Sequence, residues 1–355
     1  MTVKLKKWQK ALVIIACVVL VWSLFALVPR HDSHGGQNPF RSYDGGVYLV
    51  AHRGGRGEMP ENTLEAFYNA YSINSGVVME SDANMTKDGV LILCHDNRLD
   101  RTTNVTGEIY DWTYADLVSN EVDFGYANKA LKDSSGNYIL DSGGNRTYEL
   151  SLFKTGSSAP VADITKTPLD VSYPSGIHAR HESKFLVTTV EELIDAFPGN
   201  LISVEIKQEG EAGLAALEKL IEIIEAKGAS DRVVIGSFHE EVFKKEVQLK
   251  KEGKNFLFSP AQNGVVEFLI PSWFLLDTFY NYPVSIMQVP MSQGPIKVAT
   301  RAFVQTAHRH NIAVQFWTIN NADDMRYLIE IGADGIMTDY PSLLKSVMDE
   351  AAKSS

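Results

Sequence analysis

Apolar residues fall into two alternating patterns along most of this chain. Short apolar blocks predict strands, and most are followed by stretches in which large apolar side chains recur every three or four positions. The first block, 47–52, leads into 62–74, where Leu64, Phe67, Tyr68 and Tyr71 keep helical spacing. Blocks at 77–82 and 90–95 follow. Farther on, strands are predicted at 201–206, 232–237, 255–258, 285–289, 312–318 and 334–338, and helices at 211–227, 239–252, 298–310, 322–331 and 341–352. Repeated strand–helix units imply a parallel sheet, and the strand number approaches eight. At 355 residues the chain is long for one domain, but α/β barrels of this size form a single unit.

Two regions depart from this alternation. From about 105 to 185 the chain is punctuated by Gly107, Gly125, Gly136, Gly143, Gly144, Gly156 and Gly176 and by Pro160, Pro168 and Pro174. A structureless loop of that length is out of place in a compact domain, so the stretch reads as an inserted small, mainly β/irregular subdomain over one mouth of the barrel. A short helix begins near 111–117. The second departure is 11–28, which holds no charge and only Ser23 as a polar side chain. As a helix it measures about 27 Å, enough to cross a bilayer.

Lys4, Lys6, Lys7 and Lys10 precede that apolar run, which by the positive-inside rule keeps the N-terminus cytoplasmic. The expected organisation is a basic tip and transmembrane anchor over 1–30, a Gly/Ser/Asn/Asp-rich linker over 31–46, and a barrel over 47–355 outside the cytoplasm, extracellular or periplasmic. Two alternatives are a cleaved signal peptide and a lipid-attached Cys17. Phe25-Ala26-Leu27-Val28-Pro29-Arg30 makes a poor cleavage site, and the run stays apolar for eleven residues past Cys17.

Net charge is −11, and the chain beyond residue 30 carries 28 basic against 44 acidic side chains, a net −16. Such a body is unsuited to non-specific binding of nucleic acid. Cys17 lies in the anchor and Cys94 on a strand, so the body holds no disulfide. Nothing points to a protein partner.

The candidate chemistry sits where strands end. His52 closes the first block and His95 the third, with Glu80 and Asp82 between them on one strand face, since side chains alternate with period two. Converging carboxylate oxygens suit a hard divalent cation. Glu205 closes another strand, and Lys207 shares its face. Two imidazoles, an acid cluster and basic side chains at strand ends are the parts of a metal-assisted phosphoryl hydrolase. Pro60-Glu61-Asn62-Thr63 precedes a helix, with Asn62 or Thr63 as its N-cap. Gly54, Gly55 and Gly57 allow tight backbone near a phosphate but are too irregularly spaced for a dinucleotide loop. His178, His181, His308 and His310 form no zinc set and read as surface residues. Ser237-Phe238-His239 lacks a nucleophile elbow. Asn84 is a poor glycosylation acceptor so close to the candidate site.

The ordered string His52-Arg53-Gly54, Pro60-Glu61-Asn62-Thr63, Glu80-x-Asp82, Thr86-Lys87-Asp88-Gly89, His95-Asp96, Arg101-Thr102-Thr103, Glu205-Ile206-Lys207 and Trp317-Thr318-Ile319-Asn320 resembles the glycerophosphodiester phosphodiesterase family. The resemblance covers about 47–104 and 186–342, leaving out the anchor and the insert. It implies a TIM (β/α)8 barrel with one divalent cation, Mg2+ or Ca2+, held by Glu80, Asp82 and Glu205. By the same resemblance His52 and His95 are catalytic, and Arg53 and Lys207 contact the substrate phosphate. Glu61 and Asn62 are expected behind the site and Trp317 on the pocket wall. The expected reaction is hydrolysis of a glycerophosphodiester to sn-glycerol 3-phosphate and an alcohol. Alternatives are a lysophospholipase D-type or other membrane-lipid phosphodiesterase on the same fold, and a non-catalytic surface protein that binds phosphorylated ligands.

Overall fold

The computed structural model describes residues 6–44, 46–154 and 165–354; Lys4 of the basic tip and Gly156 and Pro160 of the insert lie outside them. Eight parallel strands, β1 (Tyr48–Ala51), β2 (Val78–Met85), β3 (Ile202–Ile206), β4 (Val233–Gly236), β5 (Leu257–Phe258), β6 (Ile286–Pro290), β7 (Ala313–Trp317) and β8 (Gly335–Thr338), form the wall of a TIM barrel. Except for β5 and β6, each pairs with its neighbours in the chain, and β1 closes on β8 from Tyr48 opposite Gly335 to Ala51 opposite Thr338. Between β5 and β6 the wall is almost shut, bridged by Ser285 N–H donating to Phe258 O at 3.1 Å. Segments such as Val233–Gly236 are apolar throughout because both their faces are covered.

The helices are α1 (Lys7–Leu24), α2 (Leu64–Ile73), α3 (Tyr114–Ser119), α4 (Val190–Ala196), α5 (Gly210–Ala226), α6 (Glu240–Lys251), α7 (Gln262–Ser272), α8 (Arg301–Arg309), α9 (Ala322–Ile331) and α10 (Pro341–Ser354). Threonines start several of them: the side chains of Thr63, Thr189 and Thr300 each accept a bond from the first turn. The sequence pattern misses α4 and α7. The first is too short to show a period, and the second contains Gly264 and Pro271, which read as breakers. Gly264 is there for room: a Cβ would stand 2.8 Å from Pro260.

Three expectations change. The block at 90–95 gives only Leu91–Leu93, which pairs antiparallel with β2 and stands outside the barrel wall. Lys87-Asp88-Gly89 turns the chain straight back, whereas a parallel neighbour needs a crossover of a dozen residues or more. Residues 31–44 are packed under the barrel instead of forming a free linker. Phe40 is fully buried among Val50, Val78, Val234, Leu257, Ile286, Ala313 and Met337, closing the N-terminal end of the strands. Asn38 Nδ2 donates to Ser285 O (2.6 Å) and Asn311 O (2.8 Å) at that end. One phenylalanine in a polar stretch leaves no periodic trace. Finally, His310 is fully buried, its ring edge-on to Phe268 and Nε2 3.3 Å from Asp277, and half-buried His308 places Nε2 2.7 Å from Asp334. Their carboxylate partners are remote in sequence. His178 is exposed as expected.

The insert does consist of short strands and turns, with Lys129–Ala130 paired to Tyr148–Glu149. Its two Asp-led turns repeat one device: Asp133 Oδ1 accepts from Ser135 N (2.8 Å) and Asn137 N (2.9 Å), and Asp141 Oδ1 from Gly143 N (2.8 Å) and Asn145 N (2.9 Å). α1 is fully exposed and has the length and composition of a membrane span, which a signal sequence shares.

Glu246 on α6 is fully buried and neither carboxylate oxygen has a partner. Burial pushes its carboxyl well above the ordinary range. The fold therefore keeps a proton that the unfolded chain releases, and this residue costs stability increasingly as pH rises past the unfolded value. Glu246→Met should raise the thermal midpoint at pH 7.5 by roughly 1–3 °C, about 1–2 kcal/mol, and the gain should shrink towards pH 4 in circular-dichroism melts.

Candidate active site

The C-terminal ends of β1, β2 and β3 meet at one mouth of the barrel. β1 runs directly into the turn His52–Gly54, where Arg53 takes a positive φ of 52° and folds its side chain inward. The following glycines serve packing: a Cβ on Gly54 would lie 2.7 Å from Ala66, and one on Gly57 2.4 Å from the Tyr340 ring. Their room seats the loop against α2 and α10, not against a ligand. β2 sends Glu80 and Asp82 into the mouth, and β3 sets Glu205 in register with Asp82.

Oxygens of Glu80, Asp82 and Glu205 lie within 4.8 Å of one another. Cations partly offset this crowding. Arg53 Nε is 3.0 Å from Asp82 Oδ2, its backbone N–H donates to Glu80 Oε2 (2.8 Å), and Lys207 Nζ reaches Glu205 Oε1 (2.7 Å) and Asp82 Oδ1 (3.2 Å). Asn62 adds a bond from Nδ2 to Asp82 Oδ2 (3.0 Å) and accepts from Ser81 Oγ (2.9 Å). Burial and the neighbouring Asp82 charge push the Glu80 carboxyl well up, and burial raises Glu205 as well. Against the same burial, Arg53 and Lys207 hold Asp82 below its ordinary value. The mouth thus has more negative charge than its own cations neutralise. An all-oxygen donor set with that surplus fits a hard divalent cation.

Each histidine stands on a carboxylate. His52 Nδ1 is 2.6 Å from Asp339 Oδ1, and Asp339 also accepts from Arg56 Nε (2.9 Å) and Asn320 Nδ2 (2.8 Å). Despite burial, His52 and Arg56 draw Asp339 down to about 2, while burial lowers the imidazole of His52 itself. On the other side His95 Nδ1 is 2.6 Å from Asp96 Oδ1, and Asp96 Oδ2 accepts from Arg101 Nε at 2.6 Å. In both pairs Nδ1 is committed to the carboxylate, which leaves Nε2 for the mouth. Glu61 joins the two halves: Oε1 accepts from Arg53 (3.0 Å) and Arg101 (2.7 Å), Oε2 from Arg101 (2.9 Å). Asn84, the rejected glycosylation acceptor, is buried and braces this loop by donating to Cys94 O (2.9 Å) and Asp96 O (3.2 Å).

His52, His95, Glu80, Asp82, Glu205, Arg53, Lys207 and Trp317 all line one cavity of about 470 Å³, with Glu61 and Asn62 behind it. Arg53 and Lys207 face the acids here. The cavity's other half is apolar, walled by Phe238, Val266, Leu269, Ile296 and Trp317. Trp317 meets the Phe238 ring edge-on at 5.8 Å. Sequence reasoning missed Asp339, Arg56 and Phe238. An acid directly after the last strand, in Thr338-Asp339-Tyr340-Pro341, was the available signal.

The family model for the glycerophosphoryl diester phosphodiesterase family matches residues 52–343. A glycerophosphodiester phosphodiesterase of Bacillus subtilis is 27% identical over 341 residues, 94% of this chain and 97% of that protein. A human protein named lysophospholipase D is 22% identical over 347 residues, 92% of each chain. Among solved structures, a phosphodiesterase of Oleispira antarctica in complex with the product sn-glycerol-3-phosphate superposes with a TM-score of 0.57 at 18% identity, over 86% of this chain and 98% of that one. A glycerophosphodiester phosphodiesterase from Agrobacterium tumefaciens gives 0.55 at 18% identity, over 84% and 99%.

Glu61 predicts its own test. Glu61→Ala leaves Arg53 and Arg101 facing each other without the buried acid between them, and denaturant unfolding should show a loss of about 3–5 kcal/mol.

Proposed function

Because this chain belongs to the glycerophosphoryl diester phosphodiesterase family, we propose that it hydrolyses glycerophosphodiesters to sn-glycerol 3-phosphate and an alcohol with two histidines and one divalent cation, Mg2+ or Ca2+. The observation that carries this reading is the pair of carboxylate-braced imidazoles, His52 and His95, opening on the same cavity as the acid cluster.

Glu80, Asp82 and Glu205 would hold the cation. Bound there, it would supply positive charge that stabilises negative charge developing on the phosphoryl oxygens. Arg53 and Lys207 stand at the same acids and add two further positive groups to the phosphate's surroundings. One imidazole Nε2 takes the proton of the attacking water, or of a neighbouring substrate hydroxyl whose cyclic phosphate a water then opens, as the new O–P bond forms. The other gives a proton to the departing alkoxide as the old P–O bond breaks. Asp339 and Asp96 keep each ring in the tautomer that presents Nε2 and stabilise it when it is charged. Glu61 and Asn62 hold Arg53 and Asp82 in place.

A second reading, hydrolysis of a lysophospholipid, is favoured by the apolar half of the cavity, whose side chains suit an acyl chain, and by the human relative's name. α1 is read as an uncleaved anchor with the N-terminus cytoplasmic and the barrel outside.

His52→Ala and His95→Ala should each lower turnover of glycerophosphocholine by about 10²–10⁴-fold while calorimetric titration still detects Mg2+ or Ca2+ binding. Glu80→Ala should lose cation binding and turnover together. Near-normal turnover in both histidine variants, or full activity in chelator, defeats the mechanism. Comparing glycerophosphocholine with lysophosphatidylcholine in detergent separates the two substrate readings.

A further inference from the structure

α7 links the cavity to the far end of the barrel. Val266 and Leu269 wall the cavity, whereas Ile270, Trp273, Phe274 and, just beyond, Phe279 are exposed to solvent. Helices of this fold run antiparallel to the strands they follow, so the exposed apolar group lies at the base, opposite the catalytic mouth. Asp277, beside it, contacts His310 just before β7 begins, which places both at the same end.

The end of α1 is fastened to that apolar group. Trp22 Nε1 donates to Phe274 O, the rings of Phe25 and Phe279 lie 5.8 Å apart, and Arg30 Nε is 2.6 Å from Oδ2 of the buried Asp277. The chain then continues beneath the strands to Phe40, so little slack separates the apolar helix from the barrel base. Aromatic side chains beside the end of a membrane-spanning helix sit at headgroup level in lipid bilayers.

We propose that the base of the barrel is the membrane-facing surface, with Trp273, Phe274 and Phe279 seated among lipid headgroups beside the end of α1 and the catalytic mouth opening away from the bilayer. The inference rests on the reading of α1 as an anchor. β7, running from Ala313 at the base to Trp317 at the mouth, holds the two ends of the barrel about 13 Å apart. The substrate is then a phosphodiester met in the aqueous phase, and a lysolipid in the anchor's own leaflet does not reach the histidines.

The test uses the full-length chain in phosphatidylcholine–phosphatidylglycerol vesicles, with Cys17→Ala as background; the remaining Cys94 is buried. An environment-sensitive fluorophore is attached in turn at Phe279→Cys, on the base, and at Ser292→Cys, on the exposed hairpin 292–297 after β6 at the mouth. Nitroxide-labelled lipid should quench position 279 and leave position 292 unquenched. Quenching at 292, or at neither site in protein that floats with the vesicles, overturns the proposal. Protein that does not float with the vesicles removes the anchor reading and this inference with it. As a substrate arm, lysophosphatidylcholine built into the protein's own bilayer should be cleaved at least about tenfold more slowly than the same lipid dispersed with the protein in detergent. Equal rates overturn the proposal. Absence of all phosphodiesterase activity in detergent instead defeats the proposed reaction, while the fluorophores still report the orientation.

Discussion

Three carboxylates forced together at the mouth of a barrel are the constraint on which the rest of the site depends. Strand register brings Asp82 opposite Glu205, and strand alternation brings Glu80 beside Asp82, so the crowding is built into the wall itself. Charges at that spacing in a largely buried place are stable only with compensation. Arg53 and Lys207 supply part of it, and Arg53 does so by adopting a left-handed backbone conformation within a turn whose glycines let α2 and α10 approach. What remains uncompensated leaves the mouth with an all-oxygen donor set of the kind that fits a hard divalent cation.

The same chain of charges reaches the histidines. Glu61 ties Arg53 to Arg101, Arg101 holds Asp96, and Asp96 holds His95. On the opposite side Arg56 and Asn320 hold Asp339, and Asp339 holds His52. Two imidazoles contributed by separate loops are therefore aimed by ion pairs that converge on the acid cluster. The insert enters on the His95 side, where Arg146 and Tyr148 line a groove with Asp96 and Arg101. α7, Phe238 and Trp317 form the apolar side. The space between the histidines thus has a polar groove near one of them and an apolar wall within the same cavity. The barrel divides its labour along its axis as well: chemistry gathers at the C-terminal ends of the strands, and Phe40, Asn38 and Arg30 bind the N-terminal segment to the other end.

Much of this was legible in the sequence because it depends on short-range periodicity. Alternation placed Glu80 and Asp82 on one face, strand-end position singled out His52 and Glu205, and the motif order carried the barrel and its family. What escaped were contacts between residues distant along the chain. Asp339 lies 287 residues from His52, and Asp277 is 33 residues from His310, so neither pairing leaves a local pattern. Phe40 escaped for the same reason, as a lone aromatic in a polar stretch whose partners come from strands all round the barrel. The block ending at His95 was misread as barrel wall because a strand's apolar content does not reveal whether its neighbour runs parallel or antiparallel. By itself, then, the sequence determined most of the elements, the candidate chemistry and the family, since these follow from residue type and spacing. Tertiary structure alone decided which carboxylate aims each imidazole, how far the acid cluster is neutralised and which end of the barrel meets α1, because each is a distance between segments that only closure of the barrel brings together.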